Sequence, residues 1–334
     1  MKWTVSIWSL WWKKGSVCSC DTIRIEMFAD LLILWEWEHD EDFVRILDRK
    51  CQQFHLQSYL VQPYNQAKVF EDLKRGDFNA RVFYDRASDN LPAFEPLVKK
   101  LLANGAVPLN HPEKLLPALD KAVMHQKLAD HNVRVPYTII LSPYRDWTKI
   151  KIGELIRLGE PFIIKPATGG GGVGVEANAK TLFDIVKARE GRSRDKFLLQ
   201  EKVLPVQFGD RRAWFRTYYV CGEIISCWWD DHTHIYYRVT EEEEKIYGLE
   251  RLKVVAKQIA ELSQIDFFSA EIAIVDRETF VVVDYVNDQC DMRLKSRNVD
   301  GVPDDFVEEV AFYIARYVQT TIQSLPRNLR LAEK

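Results

Sequence analysis

The sequence contains no apolar run approaching the roughly 18 residues that cross a bilayer. It also has no strong charge of either sign, because 46 basic and 49 acidic residues leave a formal charge of −3. This balance favours neither nucleic acid nor an anionic membrane as a partner. Cysteine is scarce, with six residues at unrelated spacings among 334, which argues against a disulfide framework. We therefore expect a cytoplasmic protein that keeps its cysteines reduced and binds neither nucleic acid nor a membrane.

The first 26 residues differ in composition from the rest of the chain. Four of the ten tryptophans lie here, and no small-residue cleavage site follows the short apolar stretch, as a signal peptide would require. Cys18 and Cys20 could give a zinc ion one pair of ligands, but the segment offers no second pair. A strand-like run begins directly after Met27. We expect residues 1–26 to be a poorly ordered extension before a natural start at Met27.

Three regions with different patterns follow. Between residues 27 and 115, apolar runs alternate with amphipathic stretches, which predicts a small parallel α/β sheet. Residues 116–200 mix strands and helices in an order typical of an α+β unit. In the region 201–330, strand candidates flank turns within 216–229 and within 269–285, so we expect an antiparallel sheet there.

The strongest chemical signal is a glycine-rich turn after a predicted strand that ends at Lys165. Without side chains, its backbone N–H groups can closely approach an anion, and the Lys165 ammonium could reach phosphate oxygens. No Gly-Lys-Ser/Thr follows, and the first glycine does not open a helix, which excludes a Walker loop and a dinucleotide fingerprint. We predict a phosphate-binding loop rather than a surface linker. Its glycines are Gly169, Gly170, Gly171, Gly172 and Gly174.

Acidic residues on otherwise apolar strands form a second signal. Glu271 lies on one strand of the predicted hairpin, and Asp284 and Asn287 lie on the next. Carboxylates are costly to bury without a partner or a metal. Hairpin pairing could bring these oxygen ligands together around Mg²⁺ held jointly with substrate phosphates. The alternative is that these side chains face solvent.

A third signal is the segment Gln200-Glu201-Lys202-Val203 at the end of a predicted strand. Its backbone could pair with the edge of an adenine ring, and a carboxylate could accept from the adenine amino group. On its own the segment is more typical of a solvated ion pair. The pair His232-x-His234 could likewise hold a transition metal, but a loop beside the active site explains it better.

Taken in this order, the features between residues 110 and 291 resemble the ATP-grasp superfamily. They are most similar to glutathione synthetase, D-alanine–D-alanine ligase and the ribosomal-protein glutamate ligase. The resemblance implies an ATP-grasp fold of the α/β and α+β class. Residues 27–115 would form a Rossmann-like N-terminal domain, 116–200 the central lid domain, and 201–330 the C-terminal domain with the metal site.

The resemblance also assigns roles to residues. Lys121 and Lys165 would bind phosphate with the glycine loop, and Glu201, preceded by Gln200, would meet the adenine with Lys202 and Val203. Asp210 or Gln207 would hold the ribose. The metal ligands would be Glu271, Asp284 and Asn287, and the catalytic residues would be Arg216, Arg238 and Arg293.

One departure concerns the metal motif. The usual acid-x-Asn places both side chains on one face of the strand. Here the motif is Asp284-Tyr285-Val286-Asn287, one residue longer. A β-bulge could restore convergence; otherwise Asn287 is not a ligand.

The activity implied is that of an ATP-dependent carboxylate–amine ligase. ATP with Mg²⁺ or Mn²⁺ would convert a carboxylate into an acyl phosphate, and an amine would then displace the phosphate. The partners would be a small-molecule or peptide carboxylate and an amine, and the chain could also form a homodimer. Two alternatives stay open: an ATP-grasp kinase that phosphorylates a hydroxyl, and a nucleotide-binding protein without catalysis. The sequence does not identify the acid or the amine.

Overall fold

The structure is a computed structural model that describes residues 27–144 and 152–325. The predicted N-terminal extension and the pair Cys18-x-Cys20 lie outside the described residues. None of the helices within the described ranges is long and apolar enough to cross a membrane.

The N-terminal part is a four-stranded parallel sheet in the order β2-β1-β3-β4. Strand β1 is apolar except for Asp30, which pairs with Arg81, and this composition suits a strand whose sheet is covered by helices on both faces. The strand order changes direction between β1 and β3, and ligands of open α/β sheets bind at such points. The elements are β1 (Met27–Trp35), α1 (Glu41–Gln53), β2 (Ser58–Val61), α2 (Gln66–Arg75), β3 (Phe78–Arg86), α3 (Glu95–Ala103) and β4 (Val107–Leu109).

Two helices, α4 (Pro112–Leu119) and α5 (Lys121–Asp130), lead into a small antiparallel sheet in the order β5-β8-β6-β7. A separate apolar core joins one face of this sheet to its helices. The glycine-rich turn connects β6 with β7. We call this sheet the lid below, after the domain that the resemblance predicts for residues 116–200, and its action as a lid stays a prediction. Its elements are β5 (Thr138–Leu141), α6 (Ile152–Leu158), β6 (Phe162–Pro166), β7 (Glu176–Ala179), α7 (Leu182–Ala188) and β8 (Phe197–Glu201).

The C-terminal part contains a short hairpin, β9 (Gln207–Phe208) with β10 (Arg211–Arg212), and a five-stranded antiparallel sheet. The order of this sheet is β13-β12-β11-β14-β15. Its elements are β11 (Trp214–Val220), β12 (Glu223–Trp229), β13 (Tyr236–Arg238), α8 (Glu241–Tyr247), α9 (Glu250–Ser263), β14 (Phe267–Ile274), β15 (Phe280–Asn287) and α10 (Asp304–Ser324).

The two faces of this antiparallel sheet belong to different cores. One face packs with α4, α5 and α9. The other packs against α10, which in turn covers α1 and the parallel sheet. Tyr218 on this second face meets Phe306 of α10 with ring centroids 5.0 Å apart. Arg216 is two residues before Tyr218 and therefore projects from the same face.

Candidate active site

Strand register places three predicted site residues side by side. Arg216 on β11 is opposite Glu271 on β14, and Glu271 is opposite Asp284 on β15. Directly opposed residues of antiparallel strands project from the same face. Nη2 of Arg216 donates a hydrogen bond to Oε1 of Glu271. The guanidinium is thus fixed beside two carboxylates.

A β-bulge accommodates the long metal motif. Ser269 is opposite Asn287 while Glu271 is opposite Asp284, so β15 contains one extra residue between these pairs. Asp284 and Asn287 are both partly exposed, whereas the two residues between them are buried. Nδ2 of Asn287 donates to the carbonyl of Ser269 at 3.2 Å. Asn287 therefore lies on the same face as Asp284.

Lys165 reaches this strand from the lid. A second irregularity, between Glu271 and the next residue of β14, leaves Val283 out of the regular register. Nζ of Lys165 donates to the carbonyl of Val283 at 2.9 Å. Lys165 is only 7% exposed, and this burial lowers its pKa, which the neighbouring Asp284 counteracts. A buried lysine of β6 thus meets the strand that carries Asp284, a predicted metal ligand.

Lys121 joins the same cluster from α5. Asp120 caps the helix by accepting from the second and third N–H groups, at 2.9 and 3.2 Å, and the N–H of Lys121 is left to donate to Ala167 at 2.7 Å. Nζ of Lys121 donates to the carbonyl of Gly169 at 2.9 Å and lies 3.7 Å from Oδ1 of Asp284. Lys121 therefore connects the glycine loop with Asp284, the predicted metal ligand.

The glycine loop requires glycine at most of its positions. Four of the five glycines have positive φ, a region that residues with a Cβ rarely adopt. At Gly174 an added Cβ would also lie 2.5 Å from Nη1 of Arg192. The φ angles are 103° at Gly169, 61° at Gly171, 72° at Gly172 and 79° at Gly174.

The carboxylates fit a magnesium ion shared with phosphates. Oδ1 of Asp284 is buried and accepts no hydrogen bond from any described residue, although buried polar atoms normally have a partner. Burial raises the pKa of Glu271, and Arg216 counteracts this rise. Magnesium typically takes one or two protein carboxylates and completes its shell with phosphates and water. Glu271, Asp284 and Asn287 suit that role.

No group of three or more His, Cys, Asp and Glu side chains in the described ranges could hold a metal by itself. The pair His232-x-His234 accordingly has no third protein ligand of these types among the described residues. The ring of His234 instead stacks on Trp229, with centroids 5.4 Å apart and an interplanar angle of 6°. This contact agrees with a loop position beside the sheet.

The predicted adenine segment lies at the end of β8. Oε1 of Glu201 accepts from the N–H of Tyr137 at 2.7 Å, so this carboxylate helps to hold two lid segments together. Nζ of Lys202 donates to Oδ1 of Asn178 at 3.0 Å. Lys202 and Val203 follow the last residue of the strand, where their backbone is outside the ladder. Their predicted contacts with the base remain predictions.

Gln200 is turned into the protein instead. It is 2% exposed, and its Nε2 donates to Oγ1 of Thr138 at 3.0 Å and to the hydroxyl of Tyr285 at 2.9 Å. Asp210 is exposed on the turn between β9 and β10. Ribose binding by Asp210 or Gln207 stays a prediction.

The other two predicted arginines bind carboxylates of the protein. Arg238 continues the row of Arg216 across β12, but its guanidinium donates to Glu309 of α10. Nη2 of Arg293 lies 2.8 Å from Asp291 and 3.0 Å from Asp300, and these carboxylates raise the pKa of Arg293. The structure does not join either arginine to Glu271 or Asp284 by a hydrogen bond. Their catalytic roles stay predictions.

Sequence reasoning did not single out three side chains that shape the site. Tyr285 of β15 and His125 of α5 form a buried contact, with 2.7 Å between Oη and Nδ1. Asn110 fastens the end of β4 to the start of β14, since its Oδ1 accepts from the N–H groups of Asp266 and Phe267 at 3.0 and 2.9 Å. The extra residue in the metal motif was a signal for Tyr285. His125 and Asn110 had none.

A parallel sheet, a small antiparallel sheet with a glycine loop, and a five-stranded antiparallel sheet whose carboxylates lie near Lys121 and Lys165 together define the ATP-grasp fold. Solved structures agree, and this chain has that fold. A RimK domain ATP-grasp protein from Sphaerobacter thermophilus superposes with a TM-score of 0.58 at 18% identity, covering 86% of this chain and 99% of that one. D-alanine–D-alanine ligase from Bacillus anthracis, solved with ATP, gives a TM-score of 0.58 at 12% identity, covering 89% and 98%. The ATP-grasp ligase PsnB, solved with a minimal precursor, Mg and ADP, gives 0.57 at 13% identity, covering 87% and 98%.

A curated relative resembles this chain more closely in sequence. N-acetylaspartylglutamate synthase A from Homo sapiens is 27% identical over 176 residues, which cover 52% of this chain and 44% of that protein. The match therefore spans less than half of that relative. No protein-family model matches the chain.

Proposed function

We propose that the protein is an ATP-dependent carboxylate–amine ligase that uses Mg²⁺. The observation that carries this proposal is the meeting of Lys165 of the lid and Lys121 of α5 with the sheet carboxylates near the glycine loop. Lys165 bonds to the backbone beside Asp284, and Lys121 lies between Asp284 and the carbonyl of Gly169. Such a cluster provides cations for a triphosphate and oxygen ligands for its metal ion.

Arg216 is suited to the transferring phosphoryl group. Its guanidinium forms an ion pair with Glu271, and its Cζ lies 4.6 Å from the centre of the Trp229 ring. These two contacts restrict the movement of the side chain. Its Nε is buried without a hydrogen-bond partner among the described residues. A fixed cation with an unused donor would stabilise charge that develops during transfer. A bound Mg²⁺ would neutralise the charge of the phosphate oxygens.

The acid and the amine would bind beside the carboxyl ends of the parallel strands. The carboxyl end of β3 contacts the segment after β15, because Nη2 of Arg86 donates to the carbonyl of Cys290 at 3.1 Å and Nε2 of Gln289 donates to the carbonyl of Asp85 at 2.8 Å. The point where the order of the parallel strands reverses therefore adjoins the segment that follows Asn287. Binding at such a point is the general rule for open α/β sheets.

The proposed reaction has two steps. A carboxylate oxygen of the acid attacks the γ-phosphorus, the bond to the β-γ bridging oxygen breaks, and ADP leaves with that electron pair. An amine then attacks the acyl carbon, loses a proton, and displaces inorganic phosphate to form the amide. The lid would exclude water while the acyl phosphate exists. The relatives include ligases solved with ATP or with Mg and ADP, and a synthase. Their names support an ATP-dependent ligase reaction.

A hydroxylamine trap tests the proposal. Amino acids and short peptides are screened with MgATP for ADP formation, and hydroxylamine replaces the amine for every acid that responds. We expect ADP to form only when acid, nucleophile and divalent ion are all present, and hydroxylamine to yield a hydroxamate. A phosphorylated hydroxyl compound formed without any amine would identify a kinase instead. MgATP binding without turnover for any substrate would identify a nucleotide-binding protein.

A further inference from the structure

A buried chain of hydrogen bonds lies directly behind the metal strand. Nε2 of Gln200 donates to the hydroxyl of Tyr285 at 2.9 Å, and that hydroxyl lies 2.7 Å from Nδ1 of His125. These residues belong to lid strand β8, metal strand β15 and helix α5. Their exposed fractions are 2%, 1% and 7%. The chain thus joins three elements at the base of the cleft.

The direction of these hydrogen bonds can be assigned. Because the amide of Gln200 donates to Tyr285, the hydroxyl proton of Tyr285 is available for Nδ1 of His125. That assignment requires a neutral imidazole whose Nδ1 is an acceptor. Burial, followed by the charge of Lys165, lowers the pKa of His125 to about 4. With this assignment, Nε2 of Gln200, the hydroxyl of Tyr285 and Nδ1 of His125 are matched as donors and acceptors.

Tyr285 is part of the β-bulge that determines which face of β15 its neighbours project from. It lies within the bulge between Asp284 and Asn287, and its ring is 5.4 Å from Nζ of Lys165. In a strand without the bulge, alternation would place residues three apart on opposite faces. Holding Tyr285 inward therefore keeps Asp284 and Asn287 on one outer face.

We propose that the Tyr285 hydroxyl, held between Gln200 and His125, is a positioning group for the divalent cation. It fixes the bulge so that Asp284 and Asn287 present their oxygens together. The inference rests on the proposed function, because it assumes that these side chains hold Mg²⁺ with a nucleotide. It goes further by assigning a role to residues that do not touch the cation. Groups that orient metal ligands in this way typically change metal affinity by about 10- to 100-fold.

Tyr285→Phe separates this role from packing, because it keeps the ring in the apolar core and removes only the hydroxyl. The probe is Mn²⁺, counted by loss of the free-ion EPR signal in the presence of ADP. We expect the Mn²⁺ affinity to fall by about tenfold, while ADP affinity in EDTA changes by less than about twofold. Tyr219→Phe is the matched control, since its hydroxyl makes no hydrogen bond with a described residue and its ring packs on Phe268.

An unchanged Mn²⁺ affinity in Tyr285→Phe would overturn the inference while leaving the proposed function intact. Failure of the wild-type protein to bind ADP or Mn²⁺ would instead remove the proposed function itself. If Tyr285→Phe does not fold, two variants of His125 test the role of the hydroxyl instead. His125→Gln keeps a hydrogen-bond acceptor and should bind Mn²⁺ nearly as the wild type does. His125→Leu lacks one, and its Mn²⁺ affinity should fall by about tenfold. Equal affinities for these two variants would contradict the role of the hydroxyl.

Discussion

Replacing Asp284 with asparagine should lower the rate of ADP formation by about a thousandfold, which corresponds to roughly 4 kcal/mol of activation free energy. The substitution preserves the shape of the side chain but removes a charge that the metal ion needs. It also removes the negative charge that lies 3.7 Å from Nζ of Lys121 and that raises the pKa of Lys165. The measurement is the steady-state rate of ADP release with saturating MgATP and the acid and amine that the screen identifies.

The matched control is Asp276→Asn, on the turn of the same hairpin. Oδ1 of Asp276 accepts from the N–H groups of Glu278 and Thr279 at 2.8 and 2.7 Å, a role that an asparagine oxygen can retain. This control makes the same change of charge and should keep wild-type activity. If Asp284→Asn lost less than about tenfold in rate while remaining folded, Asp284 would not be a ligand of the catalytic metal.

Replacing Lys165 with methionine should weaken nucleotide binding by about 100-fold, or roughly 2.7 kcal/mol. Methionine fills much of the buried volume of the lysine stem, so the lid core should survive. The variant lacks the ammonium group that would contact phosphate oxygens, and the carbonyl of Val283 loses its donor. Equilibrium titration with a fluorescent ATP analogue measures the effect, and a thermal melt confirms that the variant is folded.

Lys180→Met provides the comparison for Lys165→Met. Lys180 is exposed directly after β7 on the same lid and makes no side-chain hydrogen bond with a described residue. It should bind the analogue as the wild type does. Equal affinity in the wild type and in Lys165→Met would mean that Lys165 does not bind the nucleotide and supports only the packing between lid and sheet.

Much of this architecture follows from short-range pattern in the sequence. The apolar run of β1 predicted a buried parallel strand, and the glycines predicted a turn, in which four of them have positive φ. That this turn binds phosphate stays a prediction. The spacing of Glu271 and Asp284 in a hairpin predicted that they would be neighbours, and the register bears out that pairing. Such features depend on residues close to each other along the chain. The fold class could therefore be predicted from the sequence.

Contacts between distant segments could not be predicted in this way. Tyr285 and His125 are 160 residues apart, and Arg238 is 71 residues from Glu309, so no periodicity relates them. The sequence allowed a bulge in the motif from Asp284 to Asn287 but did not determine it, because the buried partners of Tyr285 come from segments far away along the chain. The boundary at residue 116 also stays a prediction, since Met124 and Leu128 of α5 pack in the core of the C-terminal sheet.

The central claim is that the glycine loop covers a triphosphate whose magnesium ion is held by Glu271 and Asp284. A crystal structure of the protein with Mg²⁺ and a non-hydrolysable ATP analogue tests it most directly. The account predicts phosphates between the loop and β15, within reach of Lys121 and Lys165, and a magnesium ion bound by both carboxylates. A nucleotide bound elsewhere, or a magnesium ion that contacts neither carboxylate, would contradict it.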